Sequence, residues 1–212
     1  MNAKVPFKSP SPTTFVESLV YASNGILHTV VHQRNMRMHV IAAMLVSLVG
    51  AGIPLGLAEK VTLIFCVMLI FFAEILNSAL EQLVDLATEM QHERARIAKD
   101  AAAAGVLVLA IGTIVIFAAI LVHNSAAILS HTSEIQQQVL AGVPITFLLG
   151  ALMHERRRPA VVDLLAFLAG CVLTTWTVMW TFSYVFSAMT YGLLVLAAAS
   201  AWVRRKEGAF EK

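Results

Sequence analysis

Six apolar stretches dominate this chain: Val40–Leu57, Val61–Leu80, Ala101–Val122, Val139–Met153, Ala160–Phe182 and Tyr184–Val203. An α-helix crosses a hydrocarbon core with roughly 17–25 predominantly apolar residues. A helix suits that setting because its backbone N–H and C=O groups satisfy one another without water. Five of the stretches meet the length; the fourth, at 15 residues, spans only if Gln136–Gln138 and His154 lie at the interfaces. Charged residues are 13% of the chain, where a soluble domain carries about 25%. Mean hydropathy is +0.78. The expected fold is all-α and polytopic in a membrane.

The basic residues predict orientation. Of 15 Lys and Arg, all but Lys60 fall in Lys4–Arg37, Arg94–Lys99, Arg156–Arg158 and Arg204–Lys212, which are alternate connections of a six-span chain. His123–Gln138 holds none. Under the positive-inside rule both termini are cytoplasmic. Pro6, Pro10 and Pro12 break the first apolar residues, so no secretory signal is expected and residues 1–12 are read as a disordered tail. Cys66 and Cys171 both fall inside apolar runs and read as small buried thiols, not a metal site or a disulfide.

After the tail, Thr13 or Thr14 can cap a helix. Apolar residues then recur at 15, 19, 22, 26 and 30, with Glu17, Asn24 and His28 between them. That is a helical period with a wet face, too polar to span, and it is expected to lie in the cytoplasmic interface. The second span carries Glu74, Asn77, Glu81 and Asp85 at its end. At about 100° per residue, these offsets of 0, 3, 7 and 11 share one helix face. Carboxylates at a membrane boundary are costly and read as functional by default. The helix should run past the surface to about Glu89, with a turn around Gln91–Arg96. Lys99 and Asp100 would then start the third span, whose free N–H groups suit a phosphate. Read alone, Lys99 is an ordinary positive-inside residue and Asp100 a helix cap.

Together, these residues resemble the small integral-membrane prokaryotic diacylglycerol kinase family, which includes undecaprenol kinases. The matching elements are Gly25, the segment Gln33-Arg34-Asn35-Met36-Arg37-Met38-His39, the block from Glu74 to Asp85, His92, and Ala98-Lys99-Asp100. The resemblance covers about residues 13–123, and Arg34–His39 looks more like the undecaprenol-kinase branch. It implies an amphipathic surface helix plus a three-span kinase core, assembled as a homotrimer with active sites shared between subunits. It implies transfer of the γ-phosphoryl group of ATP, with Mg²⁺, to a membrane lipid alcohol (undecaprenol or diacylglycerol) at the bacterial cytoplasmic (inner) membrane. By resemblance Glu74 is the general base, Glu81 holds the metal, and Asn77 and Lys99 contact the nucleotide phosphates. Tyr21, Asp85, His92 and Asp100 lie at or near the nucleotide. No nucleic-acid partner is implied.

One position departs from the family. Gln33 stands where the family has a glutamate, the second metal carboxylate. Gln33 offers a carbonyl oxygen without charge. Either Glu81 and the phosphates hold the metal more weakly, or another acid such as Glu17 substitutes, or catalysis is reduced. The rival reading is a non-catalytic or transport-like membrane protein that retains the kinase scaffold.

Residues 124–212 lie outside the resemblance and read as a three-span membrane extension of unknown role. Pro159 opens its second span. Asp163, one turn in, is expected to pair with an arginine of Arg156–Arg158; a lipid-headgroup or ion site is the sharper alternative. Trp176, Trp180, Phe182 and Tyr184 read as an interfacial aromatic belt. His123, His131 and Glu134 read as solvated loop residues, and Arg204–Lys206 as an anchor.

Overall fold

The computed structural model describes residues 14–87, 92–154 and 158–210. The tail, Thr13, Arg156 and Arg157 lie outside the described residues. Eight helices follow one another: α1 (Phe15–His32), α2 (Arg34–Gly52), α3 (Leu57–Ala87), α4 (Glu93–His123), α5 (Ser125–Ser130), α6 (Thr132–Met153), α7 (Ala160–Val178) and α8 (Tyr184–Phe210), with no strand among the described residues. Six of them, α2, α3, α4, α6, α7 and α8, are long and apolar enough to cross a membrane. The fold is an all-α, polytopic membrane protein.

Local chemistry sets the helix ends. Thr14 Oγ1 accepts from Glu17 N–H at 3.2 Å and Thr14 N–H donates to Glu17 Oε2 at 3.3 Å. This reciprocal box satisfies two donors that the first turn leaves free. Gln33 is extended, with φ −98° and ψ 118°, and breaks α1 from α2. Arg37 Nη1 donates to the Val31 carbonyl at 2.7 Å, covering an acceptor freed by that break. At the opposite end of the bundle, Glu59 accepts from Gly56 N–H at 2.8 Å and from Asn124 Nδ2 at 2.7 Å, tying the start of α3 to the end of α4.

The fourth span is longer than its apolar core. α6 begins at Thr132 and makes 22 helical residues, so most of the segment read as a solvated loop is helix. Gln138, polar in composition, is buried, with Nε2 donating to the Thr177 carbonyl at 2.9 Å. His131 is half-buried and meets the Phe182 ring edge-on at 5.0 Å. Asp163 does pair with an arginine, but with Arg205 of α8, 42 residues away. A helix partner across a bundle is not the sequence neighbour.

α6 and α8 pack onto the first span, α2. Buried Met36, Val40 and Met44 of α2 share one apolar core with Ile145 and Leu149 of α6 and Phe186 and Leu194 of α8. Ser47 Oγ donates to the Phe186 carbonyl at 2.6 Å and lies 2.8 Å from Thr190 Oγ1, both buried. A Cβ on Gly50 would meet the Phe186 ring at 2.6 Å, so only glycine permits this approach. Small and hydroxyl residues at a helix contact are how spans associate where lipid offers no hydrophobic drive. Arg204 donates to the carbonyls of Leu152 and Met153, capping α6. His32 meets Glu207 at 3.4 Å, joining α1 to α8.

Candidate active site

At 31 residues, α3 is about 46 Å long at 1.5 Å per residue. That exceeds the roughly 30 Å of a hydrocarbon core, so its last turns extend toward the basic end of the bundle. There the helical period sets Glu74, Asn77, Ser78 and Glu81 on one face. Glu74 is 1% exposed, Asn77 4% and Ser78 2%.

These side chains are under-satisfied. Both carboxylate oxygens of Glu74, the Asn77 Oδ1 and the Ser78 Oγ are buried with no hydrogen-bond partner. Asn77 Nδ2 does have one, donating to Glu81 Oε1 at 3.0 Å. Buried polar atoms are almost always paired, and an orphan asks for an explanation such as a missing ligand. Four orphan oxygens within about one turn form an acceptor-rich cluster. It suits a hydroxyl or a hard cation that arrives with the substrates.

Two flanking contacts frame the cluster. One turn beyond Glu81, Asp85 pairs with Lys99 of α4. Gln82 Nε2 lies 3.5 Å from His28 Nε2 of α1, and the His28 and His32 rings stand 4.4 Å apart. α1, α3 and α4 therefore converge at one end. The sequence missed Ser78 and His28. The signal for Ser78 is its offset of four from Glu74, which is the same helix face.

The remaining predicted residues stand apart. No hydrogen bond or ion pair among the described residues joins Tyr21, Gln33, His92 or Asp100 to the cluster. Tyr21 is on the exposed run of α1. Gln33 sits at the α1–α2 break without a side-chain cap bond. α4 starts at Glu93, not near Lys99, and its first turn is capped by His92 Nδ1 accepting from Arg94 N–H at 3.2 Å. Lys99 and Asp100 thus lie nearly two turns inside the helix. Asp100 does not cap it; it pairs with Arg96 at 2.9 Å.

For a metal, no group of three or more His, Cys, Asp or Glu exists among the described residues. A cation that takes only one or two carboxylates and completes its shell with phosphates and water requires no such group. The orphan Asn77 Oδ1 beside the Glu81 carboxylate fits such a partial set.

The comparisons with known proteins cover the part of the chain that carries this cluster. The family model for prokaryotic diacylglycerol kinase matches residues 20–121. The undecaprenol kinase of Bacillus subtilis (strain 168) is 38% identical over 97 residues, covering 46% of this chain and 79% of that protein. The diacylglycerol kinase of Synechocystis sp. is 35% identical over 100 residues, 47% of this chain and 57% of that protein. The diacylglycerol kinase of Escherichia coli (strain K12) is 29% identical over 103 residues, 49% of this chain and 84% of that protein. No solved structure matches. This chain belongs to the prokaryotic diacylglycerol kinase family, and α1–α4 carry the match. Residues after 121 lie beyond it.

Proposed function

We propose that this protein transfers the γ-phosphoryl group of MgATP to the hydroxyl of a membrane lipid alcohol, undecaprenol or diacylglycerol. The observation that carries the reading is Glu74: a buried carboxylate with two orphan oxygens in the family-matched part of the chain. A lipid hydroxyl donates to one of those oxygens and loses its proton there as it attacks. A positioned base contributes typically 10²–10⁴-fold. Glu81 and the Asn77 carbonyl hold the metal, and Lys99 of α4, paired with Asp85 one turn beyond Glu81, exchanges that carboxylate for the nucleotide phosphates. Mg²⁺ when bound neutralises charge on the phosphate oxygens. Residues 13–123 form the kinase unit and residues 124–212 an extension that braces α2. The assembly is a homo-oligomer, a homotrimer in the family pattern, with ATP reaching its site from the cytoplasm.

The direct test is transfer of labelled phosphate from ATP to lipid. A finer test addresses the metal. Glu81→Ala should raise the Mg²⁺ concentration for half-maximal rate by about tenfold or more, since it removes the carboxylate of the set. Gln33→Glu should lower that concentration, because it adds a charged oxygen where the family has one. An unchanged Mg²⁺ curve in both variants would remove these residues from the metal site.

Orientation has its own test. Both termini and the basic ends are cytoplasmic in this reading. Cysteines introduced at Ser125 and Ser130, both exposed, should react with an impermeant thiol reagent added outside intact cells. Cysteines at Arg94 and Glu207 should react only after the membrane is opened. Labelling at position 207 from outside would reverse or shorten the topology.

A further inference from the structure

Two hollows open along the seam between α2 and α6. The first, of about 530 Å³, lies in the half away from the basic end, between Leu45 and Val49 of α2 and Val139 and Val143 of α6, with Leu121 and Ile128 closing one side. The second, of about 450 Å³, lies nearer the basic end, lined by Ile41, Gly150, Ala151, His154 and Arg158. Thr146 and Phe147 line both, so the two are neighbours along one groove. From Val139 to His154 the groove follows about 22 Å of helix.

Its chemistry changes along its length. The long part is walled by aliphatic side chains, and Val139, Val143 and Phe147 are exposed at its lip. In a membrane such a lip opens to hydrocarbon, so the natural content is a lipid chain. The mouth carries a guanidinium and an imidazole, and no carboxylate lines it among the described residues. Glu155, next to His154 in sequence, lies outside the described residues; Asp163 is engaged by Arg205 and lines a different hollow. Basic pockets between spans at the charged face of a bundle take phosphate headgroups, and an arginine fork matches phosphate oxygens.

We propose that the α2–α6 groove binds a membrane lipid with an anionic phosphate headgroup, its chain between Val49 and Val143 and its phosphate at Arg158 and His154. The site is separate from the Glu74 cluster, since no residue of α3 lines either hollow. It assigns the extension a role that residues 20–121 cannot fill alone, because α6 and Arg158 form one wall and the mouth. A phosphorylated lipid product belongs to the class that fits, but the site does not depend on turnover.

The test is equilibrium binding of tritiated dioleoyl phosphatidic acid to the purified full-length protein in non-ionic detergent micelles, without ATP. Arg158→Gln, outside every helix, removes the headgroup contact. Val143→Trp, at an exposed position, fills the apolar part. Each should weaken binding by about tenfold or more, while the protein elutes as the parent does. Glu74→Gln should bind as the parent does. Dioleoyl phosphatidylcholine should compete poorly, and millimolar inorganic phosphate should not displace the lipid. Parent-like affinity in both groove variants overturns the proposal. So does loss of binding in Glu74→Gln, which would place the lipid on α3. Displacement by inorganic phosphate at concentrations similar to those of the lipid also overturns it, since the chain would then contribute nothing.

Discussion

Glu74→Gln should lower turnover by at least about a hundredfold at saturating lipid and ATP, with the amount of folded protein unchanged. The substitution keeps shape and volume and removes the proton acceptor, so the loss reads the base and not the packing. General-base contributions of 10²–10⁴ set the expected size. Glu74 is 1% exposed and neither of its oxygens has a protein partner. An amide places two N–H donors where the lipid hydroxyl must itself donate. The loss should fall on kcat more than on KM for ATP, because the metal contacts assigned to Glu81 and Asn77 and the phosphate contact assigned to Lys99 are untouched. Near-normal turnover would take the base role from Glu74. A collapse of soluble yield in detergent would instead mark it as structural.

Gly50→Leu should disrupt the protein at a site remote from that chemistry. A Cβ alone at position 50 meets the Phe186 ring at 2.6 Å, and Phe186 is fully buried. A side chain four carbons larger cannot enter without moving α8 off α2. That also endangers the Ser47 bond to the Phe186 carbonyl. Overpacking of a filled site costs typically 1–3 kcal/mol, occasionally more. Monodisperse yield and the midpoint of thermal unfolding in detergent should fall. Phe186→Ala in the Gly50→Leu background should restore part of the loss by making room, a coupling that separates this contact from a general intolerance of leucine. Full stability of Gly50→Leu alone would mean that the extension does not brace α2 as described.

How far the sequence reached depends on which force shapes each part. The period of 3.6 residues put Glu74, Asn77, Glu81 and Asp85 on one face because a helix allows no other arrangement. α1 was legible for the same reason, with Thr14 and Glu17 as its written start. The fourth span was underestimated because hydropathy counts side chains, whereas a bilayer constrains the backbone. Thr132–Gln138 is helical despite its polar residues, and Gln138 finds a carbonyl on α7. The meeting of Ser47, Gly50 and Phe186 left no trace in any pattern. Phe186 is more than 130 positions from Ser47 and Gly50, and contacts between spans depend on small and hydroxyl residues that look ordinary in a linear sequence. Asp163 met Arg205 of α8 for the same reason: three-dimensional proximity at helix ends is set by the bundle. Lys99 and Asp85 were each read as facing nucleotide, and in the structure they face each other. A nucleotide phosphate would have to compete with Asp85 for that ammonium group.

The central claim, that this chain phosphorylates a membrane lipid alcohol, is tested most directly by one assay. Purified full-length protein in mixed micelles is given γ-labelled ATP, Mg²⁺, and either undecaprenol, diacylglycerol or no lipid, and the organic phase is analysed for label. Label should appear in a lipid phosphate with at least one of the alcohols, dependent on Mg²⁺ and lost in Glu74→Gln. Folded, monodisperse protein that transfers no label to either alcohol, or releases it only as inorganic phosphate, would contradict it.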